Sequence, residues 1–165
     1  MKIRNGFVSN SSSTSFMIYG VELDNDYFEG KDTRSDITFL KNTKKILSDY
    51  LQDEKISSYL KSKINNAIEI IDEMFEDLNN NDEDYYVNCN DLLEYLVDFV
   101  VEKNELSSYN EPYNSIIYLG KSMGEIDDDE TLRQFKEKVK NAIKEIFYDL
   151  NDSDFSVIEQ CWYDG

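Results

Sequence analysis

The chain has 165 residues, with 35 acidic against 17 basic side chains, a net charge of −18, and no histidine. A balance this negative excludes direct binding to nucleic acid through phosphate neutralisation, and the missing histidine excludes Ser-His and Cys-His nucleophile pairs along with the commonest metal ligand. Hydrophobic content of 40%, with twelve Tyr and nine Phe, supplies one core without disulfides or metals, so a single globular domain over 1–165 is expected.

The chain opens with a Ser-rich segment, 1–13, in which the run Ser9 to Ser15 is flanked by Phe7, Val8 and Phe16. Arg4 to Phe16 resembles the "GFVSNSSSSSF" opening of uncharacterised proteins of bacteriophages and of bacteria carrying phage genes. The resemblance is carried by Arg4, Gly6, Phe7, Ser9, Asn10, Ser11 and Phe16, with a shorter similarity at Asp129 to Leu132 and Trp162 to Gly165. It implies a phage-related setting and no particular activity. Three readings of the run stand side by side: a lead-in whose hydroxyls cap local backbone groups, a shared address or processing signal, and a ligand-binding loop.

Thr14 to Leu23, β-branched and aromatic, predicts a strand. Asp24 to Ser35 reads as a loop, and Lys41 to Gln52 as a short helix through Ile46, Leu47, Tyr50 and Leu51. In Ile56 to Leu78 the residues Leu60, Ile64, Ala67, Ile68, Ile71, Phe75 and Leu78 share one arc of a helix. Asn79 to Asp84 is a polar loop, and Asn90 to Lys103 resumes a helix with Leu92, Leu93, Leu96, Val97 and Val100 inward. A Ser/Asn-rich connector containing Pro112 precedes a strand over Tyr113 to Leu119. Asp127 to Glu130 supplies N-cap chemistry and first-turn charge for a helix through Leu150, marked by Leu132, Phe135, Val139, Ile143, Ile146 and Leu150. Phe155 to Trp162 is the third strand, with Phe155, Val157 and Cys161 on one face. The expectation is an α+β (or α/β) fold of about three strands in a small sheet packed with about four helices, the two termini contributing neighbouring strands.

No segment reaches the roughly 18 apolar residues needed to cross a bilayer. Serines interrupt the stretch after Lys2 and Arg4 too early for a secretory leader. The expected setting is the cytoplasm of a bacterial host, with Cys89 and Cys161 as buried thiols.

Few motifs suggest catalysis. Gly120-Lys121-Ser122 lacks the glycine five residues earlier that a phosphate loop needs, since Ser115 stands there, and is read as an ordinary turn. The Asp24 to Asp36 segment places Phe28 and Gly30 wrongly for a calcium loop. Asp82 to Asp84 and Asp127 to Glu130 are carboxylate clusters that could hold Mg²⁺ or Ca²⁺ weakly, or simply be solvated.

The acidic helix faces carry more. Glu69, Asp72, Glu73, Glu76 and Asp77 lie opposite the apolar arc and crowd the C-terminal half of their helix, where the macrodipole disfavours negative charge. Their i,i+4 repulsions, Glu69/Glu73, Asp72/Glu76 and Glu73/Asp77, each cost a few tenths of a kcal/mol. Asp91, Glu94, Asp98 and Glu102 form a second stripe with no interleaved lysine. Such faces serve solubility in any acidic protein. They also suit a mimic of nucleic-acid backbone that occupies the basic surface of a host nucleic-acid-binding protein, as an anti-CRISPR-like or anti-restriction-like inhibitor. The alternative is a structural or virion-associated interaction module addressed by its N-terminal segment, and a third class is a carboxylate-metal enzyme. The leading reading needs no catalysis, cofactor, metal or membrane, and leaves oligomeric state open.

Overall fold

A computed structural model of the chain describes residues 13–24, 27, 33–52, 56–80, 85–111 and 116–163. In chain order the elements are β1 (Ser13–Asp24), α1 (Thr33–Leu51), α2 (Ser58–Asn80), α3 (Tyr85–Asn104), β2 (Ser107–Glu111), β3 (Ile116–Ser122), α4 (Leu132–Lys144) and β4 (Ser156–Tyr163). Short 3₁₀ turns occupy Met123–Glu125 and Asp152–Asp154. The four strands make one antiparallel sheet in the order β2-β3-β1-β4, an α+β architecture. As the sequence suggested, β1 and β4 are neighbours, with Ser13 opposite Tyr163 and Gly20 opposite Ser156.

β1 takes a central place because both of its faces are apolar. Tyr19, Val21 and Leu23 point into a core shared with β3 and all four helices, including Leu40, Leu47, Ile64, Ile71, Leu92, Leu96, Phe99, Phe135, Ile143 and Phe147. Phe16 and Ile18 point the other way, into a second cluster with Tyr118 and Ile158 that, among the described residues, contains no helix residue. The ring of Phe16 stacks on Tyr109 at 4.1 Å. Tyr109 pairs with Tyr118, and Tyr118 with Glu22, six residues along β1 from Phe16. In a flat sheet that offset is roughly 20 Å, so the sheet must curl over this cluster. Between Phe16 and Glu22 on β1 lies Gly20, directly opposed to Gly120 of β3. A Cβ on Gly20 would lie 2.0 Å from the Leu119 carbonyl oxygen, and one on Gly120 2.4 Å from that of Tyr19. Only glycine lets the two backbones come so close.

Several element boundaries differ from the sequence-based expectation. α1 begins at Thr33, two turns before Lys41, and within that added stretch Phe39 and Leu40 are buried. α3 likewise begins at Tyr85. It ends on Glu105 in the left-handed region at φ 53°, where the Leu106 amide donates to the Val101 carbonyl, a Schellman arrangement without its usual glycine. α4 stops at Lys144 although its apolar spacing runs on, because Ile146 and Leu150 donate their amides only three residues back. Its N-cap is Thr131, in a reciprocal box with Gln134, and not a residue of Asp127 to Glu130; Leu132 is exposed. A fourth strand, β2, lies in the Ser/Asn-rich connector. On β4 the residues grouped on one face do not share an environment: Phe155, just before the strand, is buried and Val157 is exposed, while Ile158 is buried in the second cluster.

Candidate functional site

α2 lies between its two helical neighbours. Lys44 of α1 donates to Asp72 on one flank, and Lys63 near the start of α2 meets Asp98 near the end of α3 at 2.6 Å on the other. The second contact makes α2 and α3 antiparallel. The acid-rich half of α2, from Glu69 to Asp77, therefore runs beside the beginning of α3, where Asp91 lies. Glu94 to Glu102 run beside the start of α2, which carries Lys61 and Lys63. Both stripes lie opposite the buried faces of their helices and reach solvent, staggered along the hairpin.

The nine predicted acids divide into groups. Asp72 and Asp98 hold helices together, and the bond to Asp98 raises the pKa of Lys63, whose ammonium also lies over the Tyr59 and Tyr95 rings. Asp77 is half-buried and engaged in an interaction of its own. Glu69, Glu73, Glu76, Asp91, Glu94 and Glu102 are exposed, and among the described residues none of them has an ion-pair partner. The cations of α4 are engaged differently. Lys138 contacts Glu130 at 2.6 Å, Lys140 and Lys144 converge on Asp152 at 3.3 and 2.9 Å, and Lys136 lies over the Tyr19 ring. Asp152 responds with a carboxyl pKa below the ordinary range, through hydrogen bonds from Lys144 and then Lys140. Lys138, Lys140 and Lys144 of α4 are thus paired locally, while the exposed acids of the α2–α3 surface keep their field.

Two other groups of titratable residues are structural ties. Lys103 of α3 donates to Tyr50 of α1 and to Glu145 after α4, and Tyr50 donates to Glu145 at 2.6 Å. Burial, followed by the bond to Glu145, raises the Tyr50 phenol pKa. Tyr27 donates to Asp149 and meets Phe147 edge-on, fastening the segment after β1 to the turn after α4. Burial and then that hydrogen bond push its phenol far above the ordinary value.

The remaining predicted features separate cleanly. Gly120-Lys121-Ser122 continues β3 rather than forming a turn, and the Ser122 hydroxyl accepts from the Gly124 amide at 3.2 Å. A groove of about 530 Å³ lies along the first turns of α4, lined in part by Asp127, Asp129, Glu130 and Arg133. Its most buried carboxylate, Glu130, is the one engaged by Lys138. Among the described residues no three Cys, Asp or Glu side chains are gathered as metal ligands. Asp82 to Asp84 lie outside the described residues, as do Arg4, Gly6, Phe7, Ser9, Asn10 and Ser11. Phe16, the one described residue of that motif, is a buried member of the second cluster, and the backbone of Ser13 to Ser15 already pairs with β4. Sequence reasoning missed the two interhelical ties of Asp72 and Asp98, since no spacing within one helix announces a lysine on the next.

No family model, no curated protein and no solved structure matches the chain. Among the described residues no helix is long and apolar enough to cross a membrane.

Proposed function

We propose that this is a small phage-type accessory protein that acts by binding, without catalysis or cofactor, in the cytoplasm of a bacterial host. Its acidic α2–α3 surface occupies the basic channel of a nucleic-acid-binding protein and imitates nucleic-acid backbone. The observation that carries the reading is the set of six exposed carboxylates without a described cation: Glu69, Glu73, Glu76, Asp91, Glu94 and Glu102. Along α2, acids at i, i+4 and i+7 stand about 6 and 4.5 Å apart in axial rise. Phosphates of one DNA strand rise about 3.4 Å each; because the stripes are staggered, α3 lengthens the acidic row along the hairpin, at a wider spacing than phosphate, rather than doubling its density. Asp72 and Asp98 contribute to the field while keeping the helices in place.

The test is affinity capture from nuclease-treated bacterial lysate at low and high salt, with duplex DNA as competitor. Nucleic-acid-binding proteins retained at low salt, displaced by duplex and lost at high salt are the expected result. A variant with Glu69, Glu73, Glu76, Glu94 and Glu102 all replaced by Gln keeps both interhelical ion pairs. Unchanged capture by that variant would sink the proposal.

A further inference from the structure

The two edges of the sheet are guarded unequally. β2 is five residues, Ser-Ser-Tyr-Asn-Glu, whereas β4 is eight, Ser-Val-Ile-Glu-Gln-Cys-Trp-Tyr, with Glu159 its one charge. An edge strand exposes a row of unpaired N–H and C=O groups, and natural proteins blunt such rows with short length, lysines, proline or a bulge. β2 is short. β4 has no lysine and no proline, and its register against β1 runs unbroken from Tyr163 to Ser156. Among the described residues β4 pairs with β1 alone, and its Val157 is 47% exposed, one of four large apolar side chains left open to solvent.

We infer that β4 is a homodimer edge, pairing antiparallel with β4 of a second copy to make a continuous eight-stranded sheet. The argument for a second copy is the strand's self-complementarity. In an antiparallel ladder a two-fold axis passes through the midpoint of a directly opposed pair, so one residue must face its own counterpart. Centring on Glu159 sets two carboxylates against each other, which is destabilising. Centring on Ile158 confines the ladder to 156–160. Centring on Gln160 extends it over 157–163 and opposes Glu159 to Cys161, Ile158 to Trp162 and Val157 to Tyr163. No like charges meet, and the exposed Val157 acquires an aromatic neighbour position. At −18 per copy the two chains repel, so added salt strengthens this association. That is the opposite sign from binding a basic partner through α2 and α3, and the dimer does not depend on that reading.

Sedimentation equilibrium of the full chain at about 0.05 and about 0.5 M NaCl tests it, the dimer fraction rising with salt. Val157→Lys, on a side chain already facing solvent, weakens the dimer by about tenfold or more, equivalent to about 1.4 kcal/mol. Gln160→Cys, in a Cys89→Ser/Cys161→Ser background, gives an intermolecular disulfide under mild oxidant, because directly opposed residues bring their Cα atoms within bonding range. Asn110→Cys on β2 does not. A chain that stays monomeric at both salt concentrations overturns the inference. So does a dimer that is indifferent to Val157→Lys, with no cross-link at position 160.

Discussion

Thr43 illustrates how a buried polar atom can be left without a partner. It is fully buried on the core side of α1, and among the described residues its hydroxyl has no hydrogen-bond partner. A buried donor without a partner costs about 1–3 kcal/mol, whereas an apolar group of the same shape carries no such cost. Thr43→Val keeps the branch at Cβ and removes the hydroxyl, so it is expected to stabilise the protein by about 1 kcal/mol. Urea denaturation reads this as a raised midpoint at constant slope. Gly20 and Gly120 make the complementary point. In the sequence they looked like an unremarkable strand residue and part of a turn, and only the opposed register shows that each is required by the other's backbone.

At the scale of elements, α2 and the start of α4 were legible because their apolar residues repeat every three or four positions and one face of each is buried. β2 was not, because Ser-Ser-Tyr-Asn-Glu has no strand pattern of its own and is held by pairing with β3. The end of α4 misled for the opposite reason: Ile146 and Phe147 are buried whether the backbone continues as helix or tightens into a turn. The acidic stripes were legible as sequence, but their stagger was not, since antiparallel packing is a tertiary fact. Charge on α2 works against the helix that bears it. Glu73→Lys removes repulsion from Glu69 and Asp77 and replaces it with attraction, so it is expected to raise stability by about 1 kcal/mol while weakening salt-sensitive partner capture. Thermal denaturation and the capture assay together check both halves; a variant that binds better would contradict the proposed role of this face.

Over the whole molecule, pH acts through phenols at the alkaline end. Burial first, then hydrogen bonds to carboxylates, raises the folded-state pKa of Tyr27 and Tyr50, and burial raises that of Tyr19. The folded chain therefore holds these protons more tightly than the unfolded chain does. Their contribution is complete below about pH 10, the ordinary phenol value, and is lost as pH rises above it. Melting temperature is expected to fall above that point, and the part of the tyrosinate absorbance that belongs to these three phenols is expected to rise together with unfolding. At the acidic end the sign reverses for Asp152, whose lowered pKa gives stability above the ordinary carboxylate range that disappears as pH falls.

The central position of β1 also sets an order of events in time. Its partners on β4 lie 136 residues away at Gly20 and Ser156, and 150 away at Ser13 and Tyr163. During synthesis at about 5–20 residues per second, β1 leaves the ribosome roughly 7 to 30 s before the strand that completes its pairing. The helices between them contact one another over much shorter spans and are able to pack first. β1 is therefore expected to lack its β4 partner while the helices pack, making the β1–β4 pairing the last part of the sheet able to form.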